Sequence, residues 1–181
     1  MPPPDVLDEL AAAVAPLRPG WPALRWTGIP AWHLTLAFLG EVGDATAAAL
    51  GPRLERAAGR HPSLPVSLAG GGAFPGPARA RVLWTGLHGD HRALAALAAS
   101  VAAGARRAGA PPPDEGRRFR PHVTLARCRE PTDVSALVAE LSGYAGAPWT
   151  ATDIQLIRST PGGVGAAPNY DTVSRWPLRD P

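Results

Sequence analysis

The chain of 181 residues contains no lysine, one cysteine and no long apolar run. A lone Cys128 excludes an internal disulfide and a cysteine-based zinc site. A membrane span needs about 20 consecutive apolar residues, and Arg, Gly or Pro interrupts every Ala-rich stretch here. The first ten residues have neither a basic start nor an apolar core, which argues against a secretory signal. We therefore expect a cytoplasmic protein.

All 18 basic residues are arginines, and with 15 acidic residues they give a formal net charge of +3. Arginine suits phosphate because its planar guanidinium can donate two parallel hydrogen bonds. A GC-rich genome would produce the same bias, since the chain is also rich in Ala, Gly and Pro. We favour genome composition for the overall bias. Local clusters, such as Arg117, Arg118 and Arg120, need their own explanation.

Hydrophobic spacing and turn residues divide the chain into helices and strands. The order is helix, strand, helix, strand, strand, and the same order then repeats, which indicates an ancient doubling of one α+β unit. Helices are predicted at about 5–18, 44–59, 90–108 and 132–141, with Asp5 and Thr132 as caps. Strands are predicted at 32–39, 64–69, 80–87, 122–128, 149–157 and 172–176, with a Gly/Pro-rich loop at 70–77.

Two of these strands carry the same pair of polar residues. His33 and Thr35 lie in WHLTLAFLG, and His122 and Thr124 lie in PHVTLARC. Successive side chains of a strand point to opposite faces, so each His shares a face with the Thr two positions later. Four such groups buried without partners would each cost roughly 1–3 kcal/mol, so a cleft is the better place for them. One such pair is typical of an ordinary strand, but its recurrence at matching positions favours a functional site.

Two imidazoles and two hydroxyls around one cleft suit phosphodiester chemistry. Histidine titrates near neutral pH, so one ring can take a proton from the nucleophile while the other gives a proton to the leaving oxygen. The threonine hydroxyls can donate hydrogen bonds to the non-bridging phosphate oxygens. This chemistry needs no metal or cofactor, and no motif for either is visible, so we expect neither.

The stretches WHLTLAFLG and FRPHVTLAR resemble the paired His-x-Thr motifs of the 2H phosphoesterase superfamily. The branch they resemble is the bacterial and archaeal RNA 2′,3′-cyclic phosphodiesterases, also called 2′–5′ RNA ligases. The strand RVLWTGL, the late Ser159 and Tyr170, and the terminal WPL extend the resemblance. It implies an α+β fold in one domain, residues 1–181, of two pseudo-symmetric lobes. Each lobe would be an antiparallel sheet with helices on its outer face, and the lobes would enclose a central cleft.

The same resemblance implies roles for the motif residues. His33 would be the proton donor and His122 the acceptor when an RNA 2′,3′-cyclic phosphate opens to a 2′-phosphate, and the same residues would serve 2′–5′ ligation. Thr35, Thr124 and Arg127 would bind the substrate. Strict alternation puts Arg127 on the face opposite His122, although strand twist can correct this.

Other residues near the motifs have less specific interpretations. Phe38 stands in the first motif where Arg127 stands in the second, and we expect it in the core, with base stacking as the alternative. Trp26, Trp32 and Trp84 are expected to fill core or cleft walls.

The N-terminus departs from the pattern of the family. Its members open with a short apolar strand before the first helix, whereas Met1 lies at the Pro-rich end of that region. Either this first strand is missing, or the start codon has been set too far downstream. A missing central strand would leave unpaired edge groups in the first lobe. We expect the upstream DNA to encode the strand in frame.

Three functions fit these features. We favour an enzyme whose partner is RNA with a 2′,3′-cyclic phosphate end and which acts as a monomer, without a metal or a membrane. One alternative is the same chemistry on a cyclic phosphate of a nucleotide or of ADP-ribose. The other is an RNA-end binding module that has lost catalysis, against which the intact His and Thr pairs argue.

Overall fold

The structure is a computed structural model that describes residues 1–112, 118–162 and 168–180. The helices of this part are α1 (Pro4–Val14), α2 (Asp44–Ala58), α3 (His91–Arg107) and α4 (Ser135–Leu141). The strands are β1 (Arg25–Trp26), β2 (Leu64–Phe74), β3 (Ala80–Gly89), β4 (His122–Thr132), β5 (Trp149–Ala151), β6 (Asp153–Thr160) and β7 (Asn169–Pro177). Three short 3-10 turns lie at Ala15–Gly20, Ile29–Ala31 and Pro77–Arg79.

The strands form two antiparallel sheets of different size. The larger sheet has the order β1-β4-β3-β2-β5, and the smaller is the β6–β7 hairpin. Helix α4 packs on β2, while α2 packs on α3 and on β7. The expected α+β architecture is confirmed, with five strands in one sheet and two in the other within the described residues.

Helix boundaries follow local chemistry that the sequence pattern located to within a few residues. Pro4 begins α1, where its missing N–H and preset φ cost nothing. Asp5 therefore lies in the first turn, and the prediction that it caps the helix is wrong. Asp90 caps α3 by accepting hydrogen bonds from two backbone N–H groups at 2.9 Å. Thr132 does not cap α4, because β4 runs through it and the helix begins only at Ser135.

Strand β2 runs five residues farther than the sequence predicts. Gly70, at φ +64°, forms a bulge, and pairing with β3 resumes beyond it, so the predicted loop is wrong from 70 to 74. The chain can continue as a strand because Gly72 leaves room for a neighbour: a Cβ there would overlap the Trp84 indole. The extension brings Phe74, at the end of β2, next to His122.

Residues 32–39 form no strand, so that prediction is wrong. A strand is defined by hydrogen bonds to a neighbouring strand. Within the described residues, neither sheet extends to this segment. The apolar alternation of WHLTLAFLG is real, but alternation cannot tell whether a partner strand lies beside it. The segment begins instead from a short 3-10 turn and from Trp32, whose side chain is fully buried.

Candidate active site

A cavity of about 980 Å³ brings the two motifs together. All five residues singled out by the sequence line it: His33, Thr35, His122, Thr124 and Arg127. Thr35 and Arg127 are exposed, and the other three are half-buried. The sequence prediction that the motif residues share one pocket therefore agrees with the geometry.

The cavity continues from the motifs into an apolar interior between residues 34–39 and helices α2 and α3. Leu34 and Leu36 line this space and are only partly buried. Phe38 is 59% exposed and also lines the cavity. Its expected core position is wrong, because no strand of the described residues lies against this segment to bury the apolar face.

A bulge in β4 decides which side chains face the cavity. Leu83 pairs with Ala126, whereas the next residue, Trp84, pairs with Thr124, which leaves Leu125 as an extra residue. The alternation reverses at this point. Strict alternation from His122 would place Ala126 on the face of the histidine, but with the bulge Ala126 is fully buried on the other side.

Arg127 gains its place in the cavity from the same bulge. The residues of β4 that line the cavity are His122, Thr124, Arg127 and Arg129. Strict alternation without a bulge would have turned Arg127 away from the histidine. The prediction that its side chain belongs to the pocket thus agrees with the structure, through a bulge in place of the strand twist that the sequence suggested.

Thr27 connects the two motifs. Its hydroxyl lies 2.7 Å from the Thr124 carbonyl oxygen and 2.9 Å from that of Leu125, and it accepts a hydrogen bond from Trp32 Nε1 at 2.9 Å. Its backbone N–H also donates to the Leu125 carbonyl. Because Trp32 precedes His33, one side chain holds both motifs in register.

A hydrogen bond fixes one nitrogen of the His122 ring, and two aromatic side chains pack around the ring. Nδ1 lies 2.7 Å from the Arg120 carbonyl oxygen, which can only accept, so Nδ1 carries the proton of the neutral ring and Nε2 is left as an acceptor. Phe74 meets the ring edge to face at 5.0 Å, and the Trp84 ring lies at 6.0 Å. These contacts fix the orientation of the imidazole.

His33 is held differently. The ring of Tyr170, from β7, lies 4.9 Å away at an interplanar angle of 56°. Among the described residues the buried Nδ1 has no hydrogen-bond partner, although the Ala31 carbonyl is near enough to raise the pKa of the ring. The carbonyl two positions before each histidine thus faces its imidazole in both motifs, but it makes a hydrogen bond only to His122.

Comparison with known proteins bears on this geometry. Residues 3–163 match the model of the 2′-5′ RNA ligase superfamily. The chain belongs to this superfamily. The resemblance inferred from the two His-x-Thr stretches is thereby confirmed.

Two relatives and two solved structures illustrate the similarity. The RNA 2′,3′-cyclic phosphodiesterase of Aeropyrum pernix is 37% identical over 123 residues, which are 64% of this chain and 68% of that protein. The protein of the same name from Archaeoglobus fulgidus is 32% identical over 70% of this chain and 69% of its own. TT0787 of Thermus thermophilus superposes with a TM-score of 0.75 at 26% identity, covering 99% of this chain and 94% of that one. Escherichia coli LigT in complex with 3′-AMP gives 0.71 at 27% identity, with 94% and 91% covered.

Both histidines of this superfamily member have lowered pKa values. Burial is the main cause for each ring, because an imidazolium loses more hydration free energy than a neutral imidazole when water is removed. The N-terminal ammonium group, then His122 and then Arg127 lower the pKa of His33 further, and Arg127 also lowers the pKa of His122. The carbonyls of Ala31 and Arg120 oppose these effects in part. The free site therefore disfavours positive charge on either ring.

Sequence reasoning missed three residues that shape the site. Thr27 lies in no motif, and only the pairing of β1 with β4 brings it to Thr124. Phe74 lay in the predicted loop; the three consecutive glycines before it were the available signal that a bulky neighbour crosses this strand. Tyr170 belonged to the family resemblance but received no role.

The arginine-rich stretch contributes one backbone carbonyl, that of Arg120, to the site. Arg117 of the arginine-rich stretch lies outside the described residues, while Arg118 and Arg120 are exposed. In the part of the chain that the structure describes, no three His, Cys, Asp or Glu side chains come together as metal ligands. No helix in this part is long and apolar enough to cross a bilayer.

Proposed function

We propose that the chain is an RNA 2′,3′-cyclic phosphodiesterase that opens the cyclic phosphate to a 2′-phosphate. The observation that carries the proposal is the shared cavity: two half-buried imidazoles, two threonines and one arginine line a single space. The names of the relatives from Aeropyrum pernix and Archaeoglobus fulgidus support the same substrate class.

In this mechanism His122 is the general base. The hydrogen bond from Nδ1 to the Arg120 carbonyl keeps the proton on Nδ1, so Nε2 is free to accept one. A water molecule attacks phosphorus in line with the 3′ oxygen, and its proton moves to Nε2 as the new P–O bond forms. The lowered pKa of His122 keeps the ring neutral, and therefore competent, at neutral pH.

His33 is the general acid. It donates its proton to the 3′ oxygen as the P–O3′ bond breaks, which leaves a 3′ hydroxyl and a 2′-phosphate. Its pKa is low in the free site, but the negative charge of a bound phosphate favours the imidazolium and raises that pKa. Substrate binding thus helps to load the proton that the reaction uses.

Thr35, Thr124 and Arg127 hold the phosphate. The two hydroxyls can donate hydrogen bonds to the non-bridging oxygens, and the guanidinium offsets the charge that grows on them in the transition state. Every proton in this scheme has a donor and an acceptor among these side chains and water, so we propose that no metal ion takes part.

The test is a turnover assay on an oligonucleotide that ends in a 2′,3′-cyclic phosphate, with EDTA present. The purified chain should yield a 2′-phosphate. His33→Ala and His122→Ala should each lower kcat by about 100-fold or more, the usual size of a general acid or base contribution. His88→Ala is the matched control, because His88 is exposed and does not line the cavity.

The alternative functions give different results in the same assay. A binding module without catalysis would retain the oligonucleotide and release no product. An enzyme for ADP-ribose or mononucleotide cyclic phosphates would turn over the small substrates in preference to the oligonucleotide. Undiminished activity in either histidine variant would overturn the mechanism.

Ligation needs no further group. A 5′ hydroxyl would take the place of the attacking water at the same phosphorus, and the two histidines would move the same protons. We expect 2′–5′ joined product only at high concentrations of 5′-hydroxyl RNA, because water competes for the same phosphate. The enzyme is proposed to act as a monomer, since all five groups of the mechanism lie in one chain; light scattering at assay concentration tests this.

A further inference from the structure

Three arginines of the neighbouring strands β1 and β4 line the cavity. Arg25 of β1 and Arg127 of β4 are directly paired across the two strands, and Arg129 lies two positions farther along β4. All three side chains are exposed, and all three line the cavity that contains the histidines. We call Arg25, Arg127 and Arg129 the arginine cluster.

The arginine cluster has no negative partner in the described part of the chain. Neither a carboxylate within 4.0 Å nor a side-chain hydrogen bond engages any of its three guanidinium groups there. Like charges placed directly opposite each other on paired strands destabilise a sheet. An anion between or beside the Arg25 and Arg127 guanidinium groups would offset this repulsion, so we expect the functional state to bind one there.

The position of the arginine cluster identifies the kind of anion. Along β4, the groups that face the cavity are His122, Thr124, Arg127 and Arg129, in that order. The first three surround the proposed reacting phosphate. Arg129 lies two residues beyond Arg127 in β4 and lines the same cavity. Arg25 flanks Arg127 on the neighbouring strand.

We propose that Arg25 and Arg129 bind the backbone phosphates of the RNA chain that precedes the cyclic end. Guanidinium groups suit phosphate because they donate two parallel hydrogen bonds. A mononucleotide cyclic phosphate has no such backbone phosphate, so the cluster selects a polynucleotide end over a free nucleotide. This inference rests on the proposed phosphodiesterase function and specifies its substrate class.

The test compares two substrates: an oligonucleotide ending in a 2′,3′-cyclic phosphate and the matching mononucleotide 2′,3′-cyclic phosphate. Arg25→Gln and Arg129→Gln should each lower the ratio of kcat/KM on the oligonucleotide to that on the mononucleotide by about fivefold, and the double variant by more. The salt dependence of log kcat/KM on the oligonucleotide should lose a slope of roughly 0.7 for each arginine removed. Arg92→Gln, an exposed arginine on α3 that does not line the cavity, should leave the ratio at the wild-type value.

Each other outcome is decisive. An equal loss on both substrates would mean that the arginines act on the reacting phosphate or on the fold, and an unchanged ratio would mean that they touch no RNA; either result overturns the inference. Thermal unfolding separates the two kinds of loss, because removing one of two opposed cations should not lower Tm.

Failure of the proposed function can be told apart from failure of this inference. Fluorescence anisotropy with the same oligonucleotide carrying a 2′-phosphate measures binding without turnover. If the wild type binds it, the double variant binds it at least tenfold more weakly, and neither turns over the cyclic phosphate, then the phosphodiesterase proposal fails and the RNA-backbone site stands. If wild type and double variant bind equally, the site falls whatever the enzyme does.

Discussion

The Thr27 hydroxyl lies 2.7 Å from the carbonyl oxygen of Thr124 and joins the two halves of the site. The same hydroxyl accepts a hydrogen bond from Trp32 Nε1. The residues after Trp32 have no partner strand within the described residues. The position of the first histidine therefore depends on this contact more than it would in a paired strand.

Thr27→Val removes the hydroxyl at nearly constant volume. The fully buried Trp32 then loses the acceptor for its N–H. An unsatisfied buried donor costs about 1–3 kcal/mol, so we expect a loss of that size in the free energy of unfolding, measured in urea. The contact that fixes the two histidines relative to each other is also lost. We therefore expect kcat on the cyclic phosphate to fall about tenfold or more, with a smaller change in KM.

Thr27→Ser is the matched control, because serine keeps the hydroxyl that bridges Trp32 and Thr124. It should restore both kcat and most of the stability. A valine variant as active as the serine variant would show that the bridge does not position the histidines.

The absence of a side chain at Gly72 leaves room for the Trp84 indole that packs near His122. A Cβ at this position would overlap the Trp84 indole, which lies 6.0 Å from the His122 ring. Overpacking of this kind costs typically about 1–3 kcal/mol, so Gly72→Ala should lower the unfolding midpoint and, by moving the indole, lower kcat. Gly143→Ala is the control, since a Cβ there meets no atom within 4 Å. Equal stability and equal kcat in the two alanine variants would contradict the packing described here.

The pH profile follows from the pKa values of the two histidines. In the active form of the free enzyme the two histidines carry one extra proton in total: His33 is protonated and His122 is neutral. Burial and Arg127 lower both pKa values from their ordinary value near 6.5. His33 therefore loses its proton, and the enzyme its activity, as pH rises through the range below about 6.5. The profile of kcat/KM, which reports the free enzyme, should peak below about pH 6.5. That of kcat should peak at higher pH, because bound phosphate raises both pKa values.

Arg127→Gln tests the electrostatic cause. Without the guanidinium, the pKa of each histidine rises, and the kcat/KM optimum should move to higher pH while KM increases by about tenfold. Arg92→Gln removes the same charge from an exposed residue that does not line the cavity and should leave the optimum in place. An optimum that stays fixed, or moves to lower pH, in the Arg127 variant would contradict the assigned cause.

The sequence was most informative where function and local pattern coincide. Two short stretches predict that His33, Thr35, His122 and Thr124 share a site, because the repetition of the motif is visible in the chain, and the structure places all four around one cavity. The α+β class and the limits of α2, predicted at 44–59 and found at Asp44–Ala58, follow from similarly local spacing.

The sequence was least informative where distant segments meet. The bulge at Leu125 depends on the register between β3 and β4, which the sequence of β4 alone does not indicate, so strict alternation gives the wrong face for Ala126 and Arg127. Thr27 acquires its role only when β1 pairs with β4. The segment 32–39 has the pattern of a strand, but no strand lies beside it in the part of the chain that the structure describes, because pairing depends on the neighbour and not on the segment.

The roles of His33 and His122 can be separated by changing the leaving group. A substrate with sulfur in place of the 3′ bridging oxygen needs no proton on departure, because a thiol has a pKa of about 8.5. General-acid catalysis then becomes dispensable, whereas general-base catalysis of water attack does not.

Turnover of this 3′-thio cyclic phosphate by the two alanine variants tests the proposed mechanism most directly. We predict that His33→Ala hydrolyses it at a rate within about tenfold of the wild type, while His122→Ala remains slower by about 100-fold. Recovery of both variants, of neither, or of His122→Ala alone would contradict the assignment of His33 as the acid and His122 as the base.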